Sequence, residues 1–176
     1  MRRRVPVEPG LCTNRAHSAF AVSEYTHLPR CGVRETMTKI VKEFDVRAPP
    51  ERVFEAISVP ENWPRWSPFV KQASSTGPKT HWVYEVGGMR VESDTKTTER
   101  RENELFGFRQ TSGFLKSGAN RFEIERDGES SCVRWTLEYE LPYSYLGKLM
   151  DKLKANKQFG EAMDNSIRNL SKTLER

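Results

Sequence analysis

Six short strand-like segments in a row, followed by one amphipathic helix, restrict this chain to very few architectures. Between residues 69 and 141 the sequence alternates apolar and polar residues, and turn-forming pairs such as Gly87-Gly88 and Asp127-Gly128 separate the segments. Because these connections are short, we expect neighbouring strands to pair antiparallel. The six strands are predicted at 69–76, 80–87, 89–100, 103–112, 119–127 and 130–141.

One more strand and two short helices precede this series. Apolar and charged residues alternate from residue 38 up to Pro49-Pro50, which predicts a half-buried strand. Proline suits the first turn of a helix, so residues 50–58 are predicted to form a short helix. Residues 60–68 contain three prolines and therefore support only a second short helix or turn.

After Pro142 the spacing of the apolar residues changes from that of a strand to that of a helix. Apolar residues recur at intervals of three, four and six positions, which predicts a C-terminal helix of about eight turns. These positions are Leu146, Leu149, Met150, Leu153, Phe159, Met163, Ile167, Leu170 and Leu174.

The predicted elements imply an α+β fold with a cavity. Seven antiparallel strands form a sheet about 29 Å across, whereas one helix is only about 10 Å wide. One helix cannot cover a flat sheet of that width. The sheet is therefore expected to curl around the C-terminal helix, with the two short helices closing one end. Such wrapping leaves space between sheet and helix.

The inward-facing residues of this arrangement are our candidate ligand-binding residues. We expect Trp63 and Trp66 at the rim, and the polar groups of Tyr84, Ser93 and Thr95 to orient a ligand. The alternative interpretation is a dense aromatic core without room for a guest. The expected walls consist of Trp82, Tyr84, Met89, Val91, Phe106, Phe108, Phe122, Ile124, Trp135 and Leu137 on the sheet, opposed by Phe159 and Met163 on the helix.

Composition and charge indicate which part of the chain forms the domain, which partners it can bind and in which cellular compartment it works. Residues 1–36 lack sustained periodicity and contain prolines and glycines, so we expect a flexible extension before a domain at 37–176. The extension has six arginines and three glutamates, while residues 37–176 hold 23 basic and 21 acidic residues with mixed signs. A nucleic-acid surface would be one-signed, so we expect no such partner. Three cysteines and no export signal predict a reducing cytoplasm.

No motif for catalysis, a cofactor or a metal stands out, so we expect none of the three. His81 is expected to be a surface residue. In the extension, Cys12, His17, His27 and Cys31 are chemically suited to zinc, but no strand-helix pattern surrounds them, and coincidence is the preferred interpretation. The sequence does not determine the oligomeric state. The candidates for transient contact with an anionic membrane are Lys148, Lys152, Lys154 and Lys157.

The opening of the domain resembles a known superfamily. The run FDVRAPPERVFEAIS at 44–58 and WPRWSP at 63–68 are similar to the start of START-like (SRPBCC) proteins, particularly the polyketide cyclase/dehydrase and coenzyme Q-binding branches. The resemblance implies the helix-grip fold, with a deep cavity between sheet and helix that binds lipids, quinones or polyketides. We therefore favour a protein that binds or carries a hydrophobic small molecule. The alternatives are an aromatase/cyclase or dehydrase enzyme, and a chaperone-interacting module of the same fold.

Overall fold

The computed structural model describes residues 37–86, 88–142 and 152–175 of the chain. Its seven strands are β1 (Thr38–Val46), β2 (Val70–Thr76), β3 (Lys79–Val86), β4 (Met89–Arg101), β5 (Leu105–Gly113), β6 (Ser117–Asp127) and β7 (Ser130–Glu140). They form one curved antiparallel sheet in the order β1-β7-β6-β5-β4-β3-β2. All seven predicted strands are confirmed, and the predicted ends of β2 to β7 lie within two residues of the observed ones.

Two short helices connect β1 to the far edge of the sheet. Helix α1 (Pro50–Ser58) has proline in its first turn and buries Val53, Phe54 and Ile57 against the sheet. A 3₁₀ helix (Pro60–Arg65) follows and packs against β2. Because the chain crosses here from one edge of the sheet to the other, β2 to β7 return as a meander that ends beside β1.

The long C-terminal helix α2 (Lys152–Leu174) faces the inner side of the sheet. It buries Met163, Leu170 and Leu174 in the same core as the inner sheet residues. At the sheet edge, the Lys42 ammonium of β1 lies 2.7 Å from the Asp164 carboxylate of α2. The expected fold, a curved sheet gripping a long helix with two short helices after the first strand, is confirmed.

Trp63 and Trp66 lie in the core, so the expected rim position is wrong. Each is 2% exposed. Their indole N–H groups donate to carbonyls at the end of α1, from Trp63 to Ile57 at 2.8 Å and from Trp66 to Ala56 at 3.2 Å. The last carbonyls of a helix have no partner within it, so the indoles are satisfied there and can be buried. The three-residue spacing predicts a shared direction but not that the direction is inward.

Several sequence predictions lie outside the described residues. These are the extension at 1–36 with its four zinc candidates, and the segment 143–151 with the first residues of the predicted helix. Within the described ranges, no helix combines the length and apolar character needed to cross a bilayer. In the same ranges, no three His, Cys, Asp or Glu side chains are arranged to hold a metal ion.

Candidate functional site

A cavity of about 410 Å³ lies between the inner face of the sheet and α2. The inner face continues from β3 to β7 because side chains of the same parity on paired strands point the same way. This volume falls in the range of roughly 300–1,000 Å³ found for small-molecule pockets. Its apolar walls are Trp63, Pro68, Phe69, Tyr84, Val86, Phe108, Phe114, Leu115, Trp135, Leu137, Phe159, Ala162 and Met163.

The deep wall is an aromatic cluster centred on Trp63. Five rings surround it with centroid separations between 4.5 and 6.3 Å: Trp66, Trp82, Phe108, Phe122 and Trp135. Most of these contacts are edge-to-face or tilted, which is the preferred geometry of aromatic pairs. The cluster fills the region under α1 and the 3₁₀ helix, and the open space begins on the side that faces α2.

Two polar side chains of the wall are oriented by tryptophans. The Trp82 indole N–H donates to Thr95 Oγ1 at 2.8 Å, and the Trp135 indole N–H donates to Asn120 Oδ1 at 2.8 Å. An indole can only donate, so each bond uses an acceptor of its partner. The Thr95 hydroxyl hydrogen and the Asn120 NH₂ group are thereby left for a guest.

Two other wall residues donate hydrogen bonds within the protein and keep an acceptor oxygen for a guest. The Ser93 hydroxyl donates to the Ser112 carbonyl at 2.9 Å, and Gln110 Nε2 donates to the Leu115 carbonyl at 2.8 Å. The Ser93 and Gln110 oxygens therefore remain as acceptors. The cavity is thus apolar over most of its area but carries both donors and acceptors, which can fix the orientation of a guest.

Tyr84 lines the cavity with a hydroxyl that bonds to no described residue. Its ring stacks between Trp82, at a centroid distance of 5.9 Å, and Phe69, at 6.1 Å. Burial raises the pKa of the Tyr84 phenol far above its ordinary value near 10, because protein surrounds the group and disfavours the anion. Tyr84 therefore presents a neutral O–H to the cavity at physiological pH.

The mouth of the cavity has polar side chains in contact with water. Glu85 at the end of β3 and Gln158, Glu161 and Asn165 on α2 line this part and are exposed. Glu85 lies 3.4 Å from the Lys71 ammonium, and Glu161 lies 3.9 Å from that of Lys157. Exposed pairs of this kind contribute little to stability, so the mouth can rearrange at small cost.

The structure brings more than half of the sequence-predicted site residues to the cavity. Trp66, Trp82, Phe106 and Phe122 are buried behind the wall, mostly in the aromatic cluster. Val91 is half-buried and is not in the wall, whereas Met89 is 57% exposed because it begins β4 at the tip of the β3–β4 hairpin. Ile124 is also buried and does not line the cavity. The predicted residues that line the cavity are Trp63, Tyr84, Phe108, Trp135, Leu137, Phe159 and Met163, together with Ser93 and Thr95.

Sequence reasoning missed several wall residues. Gln110 and Asn120 share the strand parity of Phe108 and Phe122, so continuing the alternation would have placed both inward. Phe114 and Leu115 lie in the connection between β5 and β6. Strand alternation does not extend to such connections, so no pattern in the sequence marks these two.

His81 lies on the outer face of the sheet, away from the cavity. Its Nδ1 lies 2.8 Å from Asp94 Oδ1, and the Ser112 hydroxyl donates to the other oxygen of Asp94 at 2.7 Å. The hydrogen bond to His81, followed by the one from Ser112, lowers the pKa of Asp94. The serine bonds to the carboxylate and not to the histidine, so the three residues do not form a nucleophilic triad.

The domain matches one family model over nearly all of its length. Residues 37–175 match the family described as polyketide cyclase / dehydrase and lipid transport. A search of curated proteins gave no match.

Solved structures share the fold at low sequence identity. A START superfamily protein from Mycobacterium smegmatis is 19% identical with a TM-score of 0.68, over 78% of this chain and 97% of that one. A protein from Thermus thermophilus is 23% identical with a TM-score of 0.67 at the same coverage. The Zhui aromatase/cyclase from a Streptomyces species is 13% identical with a TM-score of 0.70, over 80% of this chain and 95% of that one. At these identities the likeness establishes the fold alone.

Proposed function

Since the chain belongs to the polyketide cyclase / dehydrase and lipid transport family, of START-like fold, we propose that it binds or carries a hydrophobic small molecule in the cavity between sheet and α2. The observation that carries this proposal is the space of about 410 Å³ that remains beside the aromatic cluster. Protein interiors are normally close-packed, so a space left between the sheet and the helix and lined mainly by apolar side chains offers room for a guest. The sequence alternative of a completely filled core has no support from this geometry.

The chemistry of the wall supports an apolar guest. Phe108, Trp135, Leu137 and Phe159 present aromatic and aliphatic surface to the space. Burying apolar ligand surface against such a wall contributes about 25 cal/mol per Å² removed from water. The few polar groups then fix the guest's orientation.

An enzyme of the cyclase or dehydrase type is a second candidate, and Tyr84 is the observation that favours it. A neutral, desolvated phenol can donate a proton or a hydrogen bond to a carbonyl oxygen as an aldol ring closure proceeds. This candidate predicts that a linear polyketone mimic incubated with the protein yields a cyclised product that has lost one water. The Tyr84→Phe variant should still bind the mimic but form much less product, as followed by mass spectrometry.

The third alternative, a chaperone-interacting module, needs a contiguous exposed apolar surface. Among the described residues, the exposed large hydrophobic side chains are Met37, Val41 and Met89. The first two lie on or beside β1, and Met89 lies on β4, which is not a neighbour of β1 in the sheet. Nothing in the described residues favours this alternative.

Two sequence predictions remain predictions. One is the cytoplasmic setting. The other is transient membrane contact through the last helix, for which the described side chains of Lys154 and Lys157 are exposed. Binding of the protein to anionic and neutral vesicles would test the contact.

The binding proposal can be tested with the neutral fluorophore phenylnaphthylamine, whose emission rises in apolar surroundings. Ala162→Phe places a ring from α2 into the space. Lys172→Phe is the matched control, because it adds the same ring at an exposed position on α2 away from the cavity. We expect saturable dye uptake by the wild type and the control, and uptake weaker by about tenfold or more in Ala162→Phe.

Two results would count against the proposal. The dye could fail to bind the wild type, or it could bind Ala162→Phe and the wild type equally well. Circular dichroism of all three proteins keeps loss of binding separate from loss of fold.

A further inference from the structure

We infer that the cavity selects an uncharged guest that carries a carbonyl oxygen, and that Trp82 and Trp135 set this preference by fixing which atoms of Thr95 and Asn120 face the guest. The inference rests on the proposed binding function. It adds the chemical class of the guest and the residues that determine it.

Asn120 is the clearest of these residues. An asparagine amide can present either its oxygen or its NH₂ group, and the hydrogen-bond network decides which. Here the Trp135 indole N–H donates to Asn120 Oδ1 at 2.8 Å. A flipped amide would place NH₂ against N–H and leave the buried Trp135 indole without an acceptor, which is costly. The NH₂ group, which has no described partner, is therefore held as a donor.

Thr95 is held as a donor in the same way, by a bond from a tryptophan indole. Its oxygen accepts from the buried Trp82 indole at 2.8 Å, so the remaining hydroxyl hydrogen is available as a donor. Tyr84 lies across the wall on the neighbouring strand and supplies a third donor, since its phenol stays neutral. These three donors match a guest with an acceptor oxygen, while the Ser93 and Gln110 oxygens are left for any donor group that the guest carries elsewhere.

The charge of the wall decides which acceptor is favoured. Among the described residues that line the cavity, none is lysine, arginine or histidine, and the two carboxylates, Glu85 and Glu161, are exposed at the mouth. A carboxylate buried without a cation loses its hydration and gains no opposite charge in return. A ketone oxygen gains the same hydrogen bonds at much smaller desolvation cost. The wall therefore favours a neutral carbonyl over a carboxylate.

Three compounds with one ring skeleton test this: fluorene, fluorenone and fluorene carboxylate. Fluorene is more apolar than fluorenone, so a wall without the donors would bind fluorene more tightly. We expect the wild type to bind fluorenone more tightly than fluorene, by about fivefold for each hydrogen bond formed, and to bind the carboxylate most weakly. Displacement of phenylnaphthylamine measures all three affinities.

Asn120→Asp tests the role of Asn120. The aspartate still accepts from Trp135 but offers the guest an oxygen in place of the NH₂ donor. We expect fluorenone affinity to fall about fivefold or more, while fluorene affinity changes little. Asn169→Asp is the matched control, because it makes the same change at a half-buried position of α2 that does not line the cavity. This control should keep the preference for fluorenone.

Infrared spectroscopy of bound fluorenone provides a readout that needs no variant. A carbonyl that accepts hydrogen bonds absorbs at lower frequency than the same carbonyl in hexane, and we expect that lowering in the wild-type complex. An unshifted band, equal affinity for fluorene and fluorenone, or an unchanged preference in a folded Asn120→Asp would overturn the inference and leave the binding function intact. If neither phenylnaphthylamine nor any of the three compounds binds, the proposed function itself fails.

Discussion

Replacing Tyr84 by phenylalanine should remove a large alkaline loss of stability from this protein. Burial raises the pKa of the Tyr84 phenol in the folded state, whereas in the unfolded chain it titrates near the ordinary value of about 10. Below about pH 10 the phenol is neutral in both states, so the stabilising contribution is fully present. Above that pH the unfolded chain releases a proton that the folded protein keeps. The free energy of unfolding then falls by about 1.4 kcal/mol for each pH unit.

Urea denaturation of the wild type and Tyr84→Phe between pH 8 and pH 11.5 measures this difference. Lysines and the other tyrosines titrate in both proteins, so only the difference between the two curves reports on Tyr84. We expect it to be constant below about pH 10 and then to change by about 1.4 kcal/mol per pH unit, to the disadvantage of the wild type. Parallel curves would refute the reasoning, because they would mean that water solvates the Tyr84 phenolate in the folded protein as well as in the unfolded chain.

Three other predictions concern the stability of the core and the sheet that surround the cavity. Trp63→Ala should lower the free energy of unfolding by about 3–5 kcal/mol in urea denaturation, because Trp63 is 2% exposed and central to the aromatic cluster; a loss below about 1 kcal/mol would contradict that central position. Gly113→Ala should lower thermal stability, because Gly113 has φ 145° and an added Cβ would lie 2.6 Å from Ser93 Oγ; an unchanged melting temperature would argue against this close approach. Asp94→Asn should weaken the fall of the melting temperature at acid pH. Because the pKa of Asp94 is lowered in the folded state, its carboxylate stabilises the wild type above about pH 4, and this stabilisation is lost as the pH falls through the folded-state pKa. Equal falls in the melting temperatures of the wild type and Asp94→Asn at acid pH would contradict this prediction.

The sheet could be predicted from the sequence because its signal is local. Val133, Trp135, Leu137 and Tyr139 alternate with polar residues, and a strand that is buried on one face requires this pattern whatever its neighbours are. Gly88 and Gly128 have positive φ in the turns, a conformation in which glycine has no steric penalty. The width of seven strands against one helix then requires the sheet to curl. The antiparallel pairing of consecutive strands and the curvature of the sheet thus followed from simple geometry, whereas the pairing of β1 with β7 was not predicted.

The details of the cavity depend on tertiary contacts that no local pattern records. The positions of Trp63 and Trp66 depend on carbonyls of α1 that their indoles reach, so sequence spacing could not show that both are buried. Met89 has the correct parity for the inner face but lies at a hairpin tip, beyond the part of the sheet that is covered. Which polar atoms of Thr95 and Asn120 remain available depends on bonds to residues 13 and 15 positions away.

A crystal structure of the protein grown with phenylnaphthylamine is the most direct test of whether the fold holds a guest. We expect electron density for the dye between Phe108, Trp135 and Phe159, with the aromatic cluster around Trp63 unchanged. Side chains collapsed into that volume, with dye bound only on the outer face of the sheet, would contradict the proposal that this domain binds its ligand inside.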